Sequence, residues 1–253
     1  MRAPAMCDTL PGQREEMASN RTKTSWADFH KEHLPRLFQL PREERLAFWF
    51  RGHASTAWKL EPTIDRGRTV PFPDSDAREN HVRALVDAFK RQAMHLEFPA
   101  GIPETPRQWE LLARHHGLDS TVLDWTASPF VAAYFAFADV AREPADSVAI
   151  WCLKRSGLLA KPVAAQDVDF WDADTDYQFN LRAIEQQARF MRVGTVRPTL
   201  EQALADHLYC FELPSADRVN AMTQLEAMGI TARSLFRDLD GAARAANHFV
   251  RGS

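Results

Sequence analysis

A helix with apolar residues on nearly every side is the feature that most constrains this fold. Ser128 and Pro129 give the capping residue and first-turn proline of a helix start, and residues 130–138 read Phe-Val-Ala-Ala-Tyr-Phe-Ala-Phe-Ala. A helix without a polar face must be covered by other elements, so we predict that this segment is buried. The chain has 253 residues, 45% of them hydrophobic, which is enough to build a core around it.

Strands and helices follow each other irregularly along the rest of the chain. Apolar runs and helical spacing predict strands at 46–50, 121–126, 147–153 and 208–213, and helices at 77–96, 106–116 and 216–228. A further helix starts at Ser25 and is expected to bend or split at Pro35. The sequence has no regular strand–helix–strand rhythm, internal repeat or long linker. This pattern predicts an α+β fold, with a single domain over residues 25–250 and mixed or antiparallel sheets flanked by helices.

Charge, cysteine content and hydropathy indicate a cytoplasmic protein without a membrane segment. The net charge of −3 gives no basic field, so any contact with nucleic acid would need a local patch. The three cysteines lack CxxC spacing, and Cys152 and Cys210 lie in strand-like runs where a thiol packs as a small apolar group. No apolar run reaches the length of about 20 residues that spans a bilayer. Residues 1–24 are polar and lack periodicity, which predicts a disordered leader.

Several common catalytic signatures are absent from the sequence. It contains no GxGxxG, Walker, HExxH or GxSxG motif. The acidic stretch 167–176 departs from a calcium loop, because Tyr177 stands where a glycine is required and Ala183 where the bidentate glutamate belongs. We therefore predict a solvated loop there and no metal site.

Three polar residues stand out because their neighbours are apolar. Arg51 follows an aromatic strand, Asp124 lies inside an apolar strand, and Gln186 lies between Ile184 and Phe190. A buried charge needs a partner, so these segments are expected to converge in one polar site. The alternative is that Arg51 and Asp124 form an internal ion pair.

Two adjacent histidines, His115 and His116, end the predicted helix 106–116. Adjacent side chains on a helix point about 100° apart, so these two cannot chelate one ion together. Each histidine either interacts with the helix dipole or faces a substrate.

Four ordered segments of the chain resemble the FRG domain family. They are Phe48–His53 with Ala57–Arg66, His115–Pro129, Arg182–Phe190, and Met228–Gly241. The resemblance runs in family order over residues 45–245. The chain has His53, His115, Thr121, Ala188 and Arg237 where the family usually has glutamine, glutamine, arginine, glycine and proline.

The order of these segments is also similar to that of ADP-ribosyltransferases. Those enzymes have an arginine or histidine followed by a glycine on a first strand, then a strand with Ser or Thr that leads into a helix, then a strand that carries a glutamate. The counterparts in this chain are Arg51-Gly52, Thr126 or Ser128, and Glu185 or Gln186. The similarity implies that NAD is consumed as a substrate and that Glu185 is catalytic, with Arg51 and Gln186 beside it.

The similarity also implies a chemical role for each residue type. A carboxylate stabilises the positive charge that builds on the ribose as the bond to nicotinamide breaks. An arginine holds pyrophosphate or ribose, and a glycine lets the backbone approach the nicotinamide amide. Cofactor binding is implied for Arg51, Gly52, Asp124, Trp125, Thr126 and Ser128, and substrate contact for His53, His115 and His116. Trp125 or Phe50 would stack on the nicotinamide ring.

The implied activity is an NAD-dependent ADP-ribosyltransferase that modifies a nucleic acid or a protein. It would act as a toxin or a phage-defence effector, with an antitoxin or immunity partner. If Gln186 faces the site instead of Glu185, no base is available, and a non-enzymatic module that binds a nucleotide or a nucleic-acid end is favoured. A metal-dependent nuclease that uses Asp124 is a third alternative, although no ligand spacing supports it.

Overall fold

The computed structural model describes residues 20–98, 101–138, 140, 144–158, 168–171, 181–194, 199–236, 241–243 and 245–246. The strands are β1 (Arg21–Lys23), β2 (Phe48–His53), β3 (Val122–Thr126), β4 (Ser147–Lys154), β5 (Val168–Trp171), β6 (Ala188–Val193) and β7 (Leu208–Pro214). The α-helices are α1 (Trp26–Asp28), α2 (Leu34–Phe38), α3 (Arg42–Arg45), α4 (Ser75–Ala93), α5 (Pro106–His115), α6 (Pro129–Ala138), α7 (Leu181–Glu185), α8 (Leu200–Ala203), α9 (Arg218–Ala227) and α10 (Ala232–Leu235). The chain divides into two compact units, each assembled from separated stretches.

The first unit comprises residues 1–58, 129–160 and 205–228. Its strands follow the order β1-β7-β4-β2, in which β1 is parallel to β7 and the other neighbours are antiparallel. Helix α6 belongs to this unit, and Ala132, Ala136 and Phe137 are all 0% exposed. The prediction of a buried apolar helix is therefore confirmed.

The N-terminal helix of the first unit is interrupted just before its proline. Residues Phe29–His33 form a π-helical turn between α1 and α2, and Pro35 lies in the first turn of α2. Proline has no amide hydrogen to donate to the preceding turn, so the change in hydrogen bonding is expected at this position. The junction residues keep helical backbone angles, so the helix is irregular before Pro35 but is not split there, and a bend stays a prediction.

A short strand lies inside the segment predicted to be a disordered leader. Strand β1 pairs in parallel with β7 and aligns Arg21 with Cys210. The leader prediction is wrong for residues 21–23, because backbone pairing to β7 orders a polar segment that has no apolar alternation. Residues 1–19 lie outside the described residues.

The second unit comprises residues 59–128, 161–204 and 229–253. Its strands are antiparallel and follow the order β3-β6-β5. One buried cluster joins α4 and α5 through Val82, Val86 and Trp109. A second cluster packs Leu111 of α5 against strand residues that include Val122.

The acidic stretch 167–176 falls partly within the described residues of the second unit. Residues 168–171 form strand β5, and Trp171 is 5% exposed. The loop prediction is therefore wrong for these four residues, because Val168, Phe170 and Trp171 supply the apolar side chains of a strand. The remaining residues of the stretch lie outside the described part.

Both units combine strands and helices, so the predicted α+β class with mixed and antiparallel sheets is confirmed. Neither unit is one continuous stretch of sequence, and the single domain over 25–250 stays a prediction. No helix in the described ranges has the length and apolar character needed to cross a membrane.

The two described cysteines are predicted to be unreactive in the folded protein. Cys152 and Cys210 are each 1% exposed, and burial raises the pKa of Cys210 to about 12. Because only the thiolate attacks a disulfide reagent, a Cys7→Ser variant should show no thiol reaction at about pH 8 when folded. Both thiols should react after denaturation. A rapid reaction of the folded variant would contradict this prediction.

Candidate functional site

In the first unit, Arg51 lies on β2 and is held by the histidine two residues later. Arg51 Nε donates a hydrogen bond to His53 Nε2 at 3.0 Å. His53 is 2% exposed, and its ring lies 5.8 Å from Trp58 and 6.4 Å from Trp151. A ring nitrogen that accepts from a guanidinium must be unprotonated, so His53 is neutral in this arrangement. The geometry suits orientation of Arg51 by His53, and the burial of His53 does not suit the predicted contact with a macromolecular substrate.

Gly52 has a packing role that explains why this position lacks a side chain. A Cβ at Gly52 would lie 2.0 Å from the Ala132 carbonyl oxygen and 2.6 Å from the Ala136 amide nitrogen of α6. Helix α6 can therefore lie against β2 only where the strand carries glycine. The predicted contact of Gly52 with nicotinamide is not needed to explain this glycine, and it stays a prediction.

In the second unit, two of the predicted site segments are hydrogen-bonded to each other. Thr126, the last residue of β3, donates from Oγ1 to the Gln186 carbonyl oxygen at 2.7 Å. The Ala127 amide donates to the Gln187 carbonyl at 3.0 Å, and the Ser128 amide donates to Thr126 Oγ1 at 3.0 Å. These bonds place residues 126 and 127 beside Gln186 and Gln187 at the end of the β3–β6 pairing, and a shared polar site formed by these segments stays a prediction. Arg51 lies in the other unit, and its place in the same site stays a prediction.

Gln186 and Gln187 form a tight turn between α7, which ends at Glu185, and β6. Glu185 is half-buried and is the last residue of α7, whereas the resemblance places the glutamate on a strand. Gln187 has a φ of 47°, the only positive φ of a non-glycine residue in the described ranges. Such a conformation is strained and is often found at functional sites. The Gln186 side chain donates from Nε2 to the Leu235 carbonyl at 3.1 Å, and this bond ties the turn to α10.

Asp124 is exposed and has a partner that the sequence reasoning missed. Arg114 donates to both carboxylate oxygens, from Nε at 2.8 Å and from a terminal nitrogen at 2.5 Å. Burial alone would lower the pKa of Arg114, but the Asp124 carboxylate outweighs it and the pKa is raised. Arg114 directly precedes the FRG-like segment that begins at His115, and this adjacency was the available signal.

Trp125 does not offer a face for the predicted stacking on nicotinamide. The side chain is buried within β3 and is 2% exposed, and Phe50 on β2 is 1% exposed. A stacked ring needs an open aromatic face of a size comparable to its own. Both side chains instead contribute to the apolar cores of their units.

His115 and His116 lie at the C-terminus of α5, as predicted. His115 is the last helical residue and His116 is the cap, followed by Gly117 with a φ of 91°. The His116 ring stacks on Phe89 with 6.4 Å between centroids. These positions satisfy the helix-end interpretation, and a substrate contact by either histidine stays a prediction.

The described residues give no support to a metal-dependent nuclease. Within the ranges that the structure covers, no group of three His, Cys, Asp or Glu side chains could hold a metal ion. Catalytic metal sites require several such ligands around one centre. The carboxylate of Asp124 is instead bound by Arg114.

Comparison with protein families supports part of the resemblance. Residues 46–145 match the model of the FRG domain. This range holds β2, α4, α5, β3 and α6 and the first two of the four FRG-like segments, so the resemblance is confirmed there. No significant match to a curated protein or to a solved structure was found.

Proposed function

We propose that this chain, which carries an FRG domain at residues 46–145, is an NAD-consuming enzyme of the ADP-ribosyltransferase type. The observation that supports this proposal most is the hydrogen bonding of Thr126 and Ala127 to Gln186 and Gln187, the residues that directly follow Glu185, in the second unit. It joins a Ser/Thr-bearing strand end to a turn that carries a glutamate, which is the pairing of parts expected for such an enzyme.

Glu185 is the residue to which we assign the catalytic role. The neighbouring Gln186 uses its amide to hold the Leu235 carbonyl, so its side chain has a structural task. An amide carries no charge and cannot accept a proton at neutral pH, whereas a carboxylate can stabilise an oxocarbenium-like ribose. In the proposed reaction the bond between ribose and nicotinamide breaks, and nicotinamide leaves with the bonding electron pair. A nucleophile of the acceptor then attacks the ribose carbon and gives up its proton to the Glu185 carboxylate or to solvent.

Thr126 is proposed to position the glutamate-bearing turn rather than to react. Its hydroxyl donates to the Gln186 carbonyl and accepts from the Ser128 amide, so the donor and one acceptor position are engaged within the protein. The strained Gln187 backbone is stabilised by the bond from the Ala127 amide. These contacts keep residue 185 at a fixed distance from the end of β3.

The acceptor is proposed to be a nucleic acid or a protein, and a toxin or defence role with an antitoxin or immunity partner fits such an activity. The net charge of −3 gives no general attraction to phosphate backbones. Recognition of the acceptor must therefore depend on local groups, with His115 and His116 as the proposed contributors.

The proposal predicts that Glu185→Gln strongly slows NAD consumption without unfolding the protein. The purified chain is incubated with labelled NAD and a cell lysate, and both NAD loss and label transfer are followed. Removal of one charge-stabilising group should lower the rate by about 10²-fold to 10³-fold. Glu226→Gln, the same change at an exposed position of α9, should keep the wild-type rate and melting temperature.

Two results of this assay would overturn the enzymatic proposal. The first is wild-type protein that neither consumes NAD nor transfers label. The second is an equal rate for wild type and Glu185→Gln. If NAD raises the melting temperature of the wild type and is recovered intact, the non-enzymatic nucleotide-binding module is the better description.

A further inference from the structure

Asp124 presents a charged group from an otherwise buried strand. It is the only exposed residue among the five of β3, and half of its side-chain surface is accessible. The adjacent residues Leu123 and Trp125 are 0% and 2% exposed. The carboxylate is therefore carried by a rigid element and reaches solvent, which suits a preorganised binding group.

Arg114 fixes the direction in which this carboxylate points. Its side chain is 11% exposed, and it binds both oxygens of Asp124 in the forked geometry that arginine adopts with carboxylates. A third nitrogen of the guanidinium donates to Ser120 Oγ at 3.2 Å. The guanidinium plane is held by Asp124 on one side and by Ser120 on the other, so it restricts rotation of the Asp124 carboxylate.

A second guanidinium, that of Arg66, lies near this pair. The segment before it is anchored on Ser120, because the Ser120 amide donates to Thr63 Oγ1 at 3.0 Å and the Ile64 amide donates to the Ser120 carbonyl at 3.3 Å. Burial, and then the charge of Arg114, lowers the pKa of Arg66, while Asp124 acts in the opposite direction. Arg66 therefore lies within electrostatic range of both members of the pair.

This combination of charges restricts the ligand that can bind. A bare phosphate would be attracted by the guanidinium groups but repelled by the Asp124 carboxylate. A ligand that offers hydroxyl donors to the carboxylate and negative charge to Arg66 would satisfy both. A ribose that carries a phosphate has these two features side by side.

We propose that Asp124, positioned by Arg114 and assisted by Arg66, binds the hydroxyl groups of a nucleotide ribose. The inference rests on the proposed function, since NAD contains two such riboses. Asp124 contacts the ligand directly. Arg114 acts through Asp124 and is a positioning residue, and Arg66 contacts the phosphate.

Calorimetric titration with ADP-ribose tests this assignment without requiring catalysis. Loss of one charged hydrogen bond corresponds to a weakening of about tenfold or more, so Asp124→Asn should raise the Kd of ADP-ribose by that factor. Arg114→Lys keeps the charge but loses the fork, and it should also weaken binding. Glu226→Gln should bind as the wild type does. The melting temperature of each variant shows whether it is folded.

Ligands that lack one hydroxyl distinguish ribose binding by Asp124 from a purely structural role of Asp124 and Arg114. ADP-ribose is compared with its two 2′-deoxy forms, one for each ribose. In the wild type, one deoxy form should bind about tenfold more weakly, and this difference should disappear in Asp124→Asn and shrink in Arg114→Lys. A structural defect would weaken all three ligands equally.

The outcomes distinguish the ribose site from the enzymatic proposal. Absence of ADP-ribose binding by the wild type, or equal affinity of all three ligands for it, would overturn the ribose site. If hydroxyl discrimination depends on Asp124 while NAD is not consumed, the ribose site stands and the enzymatic proposal fails. If NAD is consumed but Asp124→Asn still discriminates between the hydroxyl forms, the enzymatic proposal stands and the ribose site fails.

Discussion

Gly52→Ala is expected to destabilise the protein by about 3 kcal/mol or more, because overpacking against a rigid backbone cannot be relieved by rotating a side chain. The added methyl group would lie 2.0 Å from the Ala132 carbonyl oxygen. Either α6 moves away from β2, or the strand loses its pairing with β4, in which Gly52 is aligned with Ile150. For a chain of this size, the melting temperature should fall on the order of 10 °C.

Gly67→Ala is the matched control for this substitution. Gly67 has a φ of 65°, but a Cβ there would meet no atom within 4 Å. The cost of a left-handed backbone for alanine is about 1 kcal/mol, so this variant should lose much less stability than Gly52→Ala. Urea unfolding of both variants gives the comparison. Equal losses would show that contact with α6 is not what excludes a side chain at Gly52.

Arg78→Ala is expected to have the second large effect, a loss of about 3 kcal/mol. Arg78 lies in α4 and is 4% exposed. Its guanidinium donates to the two Asp65 oxygens at 3.0 and 2.6 Å and to the Val193 carbonyl at 2.9 Å. Truncation would leave a partly buried carboxylate and a carbonyl without their donor and would open a cavity.

The controls for Arg78→Ala use the same helix and the same pair. Arg83→Ala removes an exposed arginine of α4 and should change the free energy of unfolding by less than about 0.5 kcal/mol. The double variant Arg78→Ala/Asp65→Ala should lose less stability than the sum of the two single changes, since it leaves no unpaired carboxylate. If Arg78→Ala and Arg83→Ala had the same free energy of unfolding, the stabilising role of the Arg78–Asp65 ion pair would be contradicted.

The elements that the sequence predicted well are those with strong local signals. The apolar helix after Ser128 and the capped helix after Thr105 needed only periodicity, a capping residue and proline. Strand β1 was missed because it has three residues and depends on pairing with β7, which is distant in sequence. Local patterns contain no information about such pairing.

The site was predicted less completely, because the exposure of a side chain on a strand depends on what packs against each face of the sheet. In β2, Phe48, Trp49 and Phe50 are all buried, so alternation does not reveal which side chain is open to a ligand. The similarity to ADP-ribosyltransferases implied a substrate contact for His53, yet tertiary packing buries this side chain. The pairing of Asp124 with Arg114 was likewise invisible, because it requires α5 to lie beside the exposed position of β3.

The strand pairings also determine where the chain can be divided. Strand β2 pairs with β4 (Ser147–Lys154), and β3 pairs with β6 (Ala188–Val193). Both partners begin after residue 145, where the family match ends. A gene fragment cut at the borders of that match would encode two strands whose backbone amides and carbonyls have lost these neighbours, and such bare edges favour self-association. Domain borders read from homology are therefore the wrong guide for dissecting this protein, and internal substitutions in the intact chain are the appropriate tool.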